Sequence, residues 1–568
     1  MIFIYFFIIY FFYYLYNKFH EKISTVSNKN INLENYTDKY SKNKIPKDID
    51  TIIIGSGISG LVTGGLLSLV GKKVLILEKH YLAGGCLHSF IHNNVEHETG
   101  VHYVGNISKR QEILDAITDK KIKWNLVGHD NNDIYDVIHI NGKSYNLRKG
   151  KDNFKKQMKQ YFPNDTNVID EYLELVEKVA KMDFLLNIKL IDNNFIYRLL
   201  KQIYLLINLD YIKYTYLSTY YIISSMTCNK ELIAVLCGQF GNYGLPPKES
   251  NFFIHANIVN HYLNGGYYPE GGTSNIADQI IKFICKKGGK VLVSANVEKV
   301  LIDNNKCIGV KMKGGYNIYS KNVVSSIGFK NTFNKLIKHE KYSPLVNNFD
   351  SSVCLLYVFI NLKGKIEDYD IKSSNVWYYE HNDFDTMMKE YYNDYTKPSP
   401  IFISSSSAKD LSWNKNSPNN CNVCLLTPVK KEWFEEWDNN KSGKREYGYK
   451  ELKDYFALKL FICLNKMYPK TLDMENDYIV GSPLTSKFYL NSFEGEAYGL
   501  NSDINKLNQT DMLRPKTLID NFYLTGQDIC TLGFTGAFMS GVLTSHSILG
   551  YGKLENIIFG KNIFKDNF

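Results

Sequence analysis

Gly55-Ser56-Gly57-Ile58-Ser59-Gly60 is the stretch whose residue types and spacing most directly promise chemistry. Glycines at these three positions suit a loop that wraps a pyrophosphate. Gly55 allows the tight turn, Gly57 lets the backbone approach the phosphates, and Gly60 lets the following helix lie against the preceding strand. The helix start, with Ser59 in its first turn, offers free N–H groups and the positive end of the peptide dipoles. Glu78 stands where a carboxylate can accept hydrogen bonds from an adenosine ribose, with Lys79 beside it. These groups need a frame, and their neighbours predict one. Asp50–Ile54 reads as a buried strand, the apolar stretch to Val70 as a helix, and Val74–Leu77 as a second strand. Strand, glycine loop, helix, strand and acid in that order predict a dinucleotide-binding βαβ unit.

Other constellations promise less. His88 and His92 are four apart, but Phe90–Thr99 reads as two short strands about an Asn93-Asn94 turn, which leaves His92 and His97 as exposed strand residues rather than metal ligands. Cys421 and Cys424 form a C-x-x-C with no second pair, inside an apolar run that reads as a buried strand. Trp433 and Trp437 have the spacing of a helix face packed on a core. No metal site is expected. The chain has 568 residues, 44% of them hydrophobic, which excludes a disulfide scaffold and wholesale disorder. Its net charge of +9 is spread thinly, so no nucleic-acid partner is expected.

Six further stretches carry a resemblance: AGGCLHSF (83–90), ETGVHYVG (98–105), CGQFGNYGLPP (237–247), HYLNGGYYPEGG (261–272), SPLTSKFYL (482–490) and FYLTGQDICTLGFTGA (522–537). Over roughly residues 48–550 the chain resembles the retinol saturase and carotenoid isomerase family, within the phytoene desaturase-like FAD oxidoreductases. That resemblance implies an α/β, two-domain FAD-binding Rossmann-type fold with a mixed α+β substrate domain. It implies FAD as cofactor, with Gly84 and Gly85 as a second glycine pair, backbone at Val297 near the adenine, and Gly526, Asp528 and Gly536 near the flavin. Many amine oxidases carry Arg directly after the second pair; here the residue is Cys86. The implied substrate is an apolar polyene, with saturation, isomerisation and desaturation all compatible. His102, Tyr103 and Tyr268 lie in family-like stretches and are the catalytic candidates. No second dinucleotide fingerprint appears, so NAD(P)H as electron donor would bind without its own Rossmann unit. A flavin-free lipid-binding escort protein is the alternative of another class.

The predicted organisation is discontinuous. Cofactor-domain segments fall at 48–120, 265–340 and 515–568, the last including a C-terminal tail. Substrate-domain segments fall at 121–264 and 341–514. Residues 1–22 are expected to be a membrane anchor or signal segment, with the uncleaved anchor preferred, and 23–47 a tether. The uncharged run 1–16 spans only about 24 Å as a helix, against a bilayer core of about 30 Å. It lacks the basic start and small-residue end of a cleaved signal, and Lys18 and Lys22 follow it. By the positive-inside rule this predicts an endoplasmic reticulum membrane protein with a cytosolic body. Residues 195–213, apolar with sparse Arg198, Lys201 and Lys213, read equally as a basic helix lying on a bilayer or as an ordinary core helix.

Overall fold

The computed structural model describes residues 37–550 except 192, 441–444, 446 and 473–476, together with 553, 554 and 558. The expected anchor at 1–22 lies outside the described residues. Among the described residues, no helix is long and apolar enough to cross a membrane.

Five short strands, most of them β-branched runs, meet in one parallel sheet because they can be buried on both faces. With a sixth strand at one edge, its order is Thr37–Lys39, Lys290–Val293, Val74–Leu77, Thr51–Ile54, Asn322–Ser325, Phe522–Leu524. Alternate residues enter opposite cores. Ile53, Ile76, Val291 and Val324 face the helices Ile58–Leu69, Ser274–Lys286 and Gly533–Leu549. Ile52, Leu75, Leu292 and Val323 face a second core that includes the antiparallel ribbon Val297–Asp303 and Lys306–Met312. The sixth strand, Thr37–Lys39, comes from the span expected to be a tether. Asp38 pairs with both Lys44 and Lys290, which fixes this polar segment to the sheet edge.

The second sheet is seven-stranded and mixed, in the order Tyr478–Gly481, Cys354–Lys363, Asn420–Val429, Ile401–Ser404, Asn375–Tyr379, Ile134–Ile140, Lys143–Arg148. One face packs on the helix Tyr447–Met467, with Trp433 and Trp437 in the same core. The other packs on a group of helices that includes Thr166–Ala180, Lys230–Cys237 and Phe252–Tyr262.

The hairpin Ser89–His92 and Val95–Glu98 turns at Asn93 and Asn94, both with positive φ, as the sequence predicts. The expectation that His97 is exposed fails: it is 1% exposed. The hairpin lies on the mixed sheet rather than facing water. His97 Nε2 meets Asn361 Oδ1 at 2.7 Å, and its ring contacts those of Phe90 and Phe359. His92 is half-buried against Asp477.

Candidate cofactor and active site

The glycine loop joins strand Thr51–Ile54 to helix Ile58–Leu69, with Gly57 as an N-cap that has no side chain to block the helix end. A Cβ on Gly57 would meet nothing within 4 Å, so the loop's outer side is open to a ligand. Gly84-Gly85 folds back onto this loop. Gly85 has φ +57°, and a Cβ there would stand 2.9 Å from Gly57 Cα, so only glycine allows the approach. Glu78 Oε2 accepts from Ser56 N at 2.9 Å and Ser56 Oγ at 2.6 Å, while Oε1 accepts from His80 N at 2.7 Å. The acid is thus aimed over the loop, with one acceptor site, on Oε1, left for a ribose. Lys79 points outward, its ammonium donating to Asn491.

The C-terminal turn closes the cradle from the far strand. Gly526 N donates to Ser540 Oγ, and its Cα carries the turn over Ser59. Ser59 Oγ is 2.9 Å from Ser326 Oγ. Gly536 lies so close to the Thr531 carbonyl that a Cβ would overlap it. Asp528 is buried, its carboxylate accepting from Phe329 N at 2.7 Å and Leu500 N at 2.9 Å. It therefore ties three chain segments together, and the ligand-facing part of this turn is backbone. Two buried lysines brace the same turn: Lys189 donates to the Ile529 carbonyl at 2.6 Å and Lys506 to that of Gln527 at 3.2 Å. Val297 is buried at the start of the ribbon.

Past the second glycine pair, the chain runs toward the mixed sheet. Cys86 keeps accessible surface, yet its deep surroundings push the thiol up to about 11. Tyr357 and Tyr498 lie near it. His102 is buried, and neither ring nitrogen has a hydrogen-bond partner among the described residues. Burial, and then the nearby Lys409 ammonium, hold it down at about 3, so it is a neutral imidazole. Unpartnered buried nitrogens are costly, and their presence marks a place for a ligand group or water.

Tyr103 is differently placed. Its hydroxyl donates to Asp136 at 2.9 Å, accepts from Asn242 at 3.2 Å, and its ring stacks on Tyr262. Asp136 also accepts from Gln239, Asn375 and Trp377, and burial nevertheless raises it to about 6. Lys409 Nζ donates to Asn375 Oδ1, Ser404 Oγ and the His102 carbonyl, and burial lowers it to about 8. Glu98, near Lys409, is held well above the usual carboxylate range by burial. Tyr268 is buried beside Glu98 in a small polar pocket with Gly272 and Asp410. Asp136 and Lys409 were missed because no motif contains them, and Glu98, the first residue of ETGVHYVG, because nothing in the sequence shows that it is buried. The available signal was the Lys409-Asp410 pair, charges that follow an apolar strand and four serines.

Residues 58–549 match the family described as flavin containing amine oxidoreductase. The chain belongs to this family. Among similar members, the all-trans-retinol 13,14-reductase of Danio rerio is 34% identical over 531 residues, covering 89% of this chain and 86% of the relative. That of Homo sapiens is 34% identical over 546 residues, covering 91% and 89%. More distant is prolycopene isomerase 2, chloroplastic, of an Oncidium hybrid cultivar, 22% identical with 90% and 86% coverage. The fold is that of wild-type putrescine oxidase bound to putrescine, at a TM-score of 0.58 and 13% identity over 88% and 99% of the two chains. The cradle fits FAD: an open Gly57, an uncapped helix end, an aimed Glu78 and a close glycine pair are all present.

Proposed function

We propose that the chain is an FAD-dependent oxidoreductase that saturates a C=C bond of an apolar polyene alcohol such as all-trans-retinol, at its 13,14 bond. The observation that carries this reading is an intact flavin cradle in a chain that matches 13,14-reductases over almost its whole length. Bound FAD supplies two-electron chemistry at the alkene. The protein supplies the rest. Backbone at Gly55, Gly57, Gly60, Gly84, Gly85, Gly526 and Gly536 holds the dinucleotide. Glu78 takes the ribose, Val297 supports the adenine, and Ser59 and Asp528 fix the turns on either side. Alignment of the alkene in a dry slot contributes about 7–11 kcal/mol to such a reaction. His102 is the group poised at that slot, because its neutral ring can carry one proton and its nitrogens have no partner among the described residues. Tyr103, held by Asp136, positions the His102 loop, and Tyr268 serves the site from the polar pocket beside Glu98.

The electron donor is NAD(P)H or a partner protein. Residues 1–22 anchor the enzyme, its body in the cytosol, to the endoplasmic reticulum membrane, into which an apolar substrate partitions. The prolycopene isomerase similarity favours a second reading, redox-neutral isomerisation of a carotenoid by the same cofactor. One experiment separates them. The reduced protein is incubated with all-trans-retinol and with a poly-cis carotenoid, and the products are weighed by mass spectrometry. A gain of two hydrogens on retinol is expected. An isomerised carotenoid with unchanged mass and untouched retinol would establish the second reading. Absence of flavin absorbance after added FAD would sink both.

A further inference from the structure

The segment 195–213 resolves into two helices, Asn194–Ile207 and Leu209–Tyr216, and their amphipathicity is inverted. The inward face is tyrosine: Tyr197, Tyr204, Tyr211 and Tyr214 are all buried. The outward face is aliphatic. Phe195, Leu206, Ile207 and Leu209 are 67–75% exposed, with Leu199 and Ile203 about half exposed between them. A helix folding against water does the opposite, because hydroxyl-bearing rings tolerate solvent better than Leu and Ile. The inversion is locked in place. Arg198 and Lys201 both pair with Asp511, and Arg514 donates to Asn194 and stacks over Tyr197. The aliphatic face cannot roll inward without breaking these contacts.

We propose that this face lies on a lipid bilayer, with its aliphatic side chains in the headgroup–acyl boundary, and that the cavity beneath it admits apolar substrate from the lipid. The second half rests on the polyene reading above. Little charge flanks the face: Arg198 and Lys201 share the one carboxylate of Asp511, Lys178 pairs with Asp210, and Lys213 lies over the Tyr214 ring, a small positive excess that leaves attachment to the aliphatic side chains and requires no strongly anionic bilayer. Tyr216 and Tyr221, both exposed at the margin, suit the polar boundary of a membrane. A cavity of about 50 Å³ lies under the helices between Leu185, Leu186, Tyr211 and Phe253 on one side and Lys189 and Cys530 at the cofactor turn on the other, and it must widen to pass a polyene. The uncharged run 1–16 is tied to Thr37 by twenty residues, a leash of at most about 70 Å. The parallel sheet is about 24 Å from the Thr37 edge to the Phe522 edge, so one bilayer can hold both features.

The test uses the full chain carrying Phe195→Trp, with the unsubstituted protein as background, and phosphatidylcholine vesicles bearing spin labels on their acyl chains. The expected result is quenching of the introduced indole's emission that persists at high salt. No quenching overturns docking. So does emission already blue-shifted without vesicles and indifferent to them, which would show residues 1–16 covering the face. A blue shift that grows with protein concentration alone would show a second copy there and also overturns it. For delivery, Leu206→Asp with Ile207→Asp is expected to slow turnover of retinol held in vesicles about tenfold, and to leave turnover from detergent micelles unchanged. Equal loss in both formats overturns delivery. If the unsubstituted enzyme turns over retinol in neither format, the polyene reading fails and docking stands or falls on the indole quenching alone.

Discussion

Glu78 and Asp136 are carboxylates on neighbouring sheets, and they are held in contrasting ways. Glu78 stands at a strand end, and its hydrogen-bond donors lie 2 and 22 residues away in the chain. Asp136 sits mid-strand, wholly buried, and its donors lie 33, 103, 239 and 241 residues away. The first arrangement is local and leaves one acceptor site free beside an open loop. The second is assembled from distant segments, fully enclosed, and answered by a buried lysine through Asn375. One region therefore works by backbone and absent side chains, and the other by desolvated charge. The difference implies that damage to the first reads out in cofactor binding and damage to the second in stability.

Removing a single member should break the contrast most visibly at Lys409. Lys409→Met leaves three acceptors and the buried acids without their cation, and is expected to cost about 3–5 kcal/mol of unfolding free energy. Denaturant melts of the holoprotein measure this. A cost below about 1 kcal/mol, on the order of an exposed pair, would show that the network holds nothing together.

Gly85→Val attacks the other side. The positive φ and the approach to Gly57 are expected to weaken FAD binding about 100-fold, near 2.7 kcal/mol, with little change in the circular dichroism of the apoprotein. Flavin absorbance after dialysis is the readout.

Asp136 should show its burial in the pH dependence. Its folded value, about 6, lies above the unfolded value of about 3.9. The group's stabilising contribution is therefore complete below about pH 4 and is lost as pH rises through 6. Asp136→Asn should remove this fall, on the order of 2 kcal/mol between about pH 4 and 7. Identical slopes for the two proteins would mean Asp136 does not titrate there.

The smallest expected effect is Tyr103→Phe, about 1–2 kcal/mol of stability for one hydrogen bond to a carboxylate, with turnover within a few-fold. A loss of turnover beyond about a hundredfold with unchanged melting would move the proton donor from His102 to Tyr103.

The inner strands of the parallel sheet were legible because most are short β-branched runs, and burial on both faces leaves that signature in consecutive residues; the polar edge strand Thr37–Lys39 carries no such signature and was read as tether. The cradle was legible for the same local reason. His97 was not, since strand alternation assigns one face to water and cannot foresee a second sheet lying there. Lys409 and Asp136 were not, since their partners converge only through tertiary contact. The stretch 195–213 left two readings open because helical spacing reports two faces and not which of them turns inward.

The order of strands in the parallel sheet also sets a timetable for synthesis. Asn322–Ser325 lies between Thr51–Ile54 and Phe522–Leu524, and its last neighbour is made about 200 residues later. At about 5–20 residues per second, the ribosome leaves that inner strand as an unpaired, hydrophobic edge for roughly 10–40 s. The helix Gly533–Leu549, which covers the glycine-loop helix, emerges later still. A nascent chain of this protein must be shielded until roughly its final fifty residues arrive, so truncation near the C-terminus should yield aggregation rather than a smaller soluble domain.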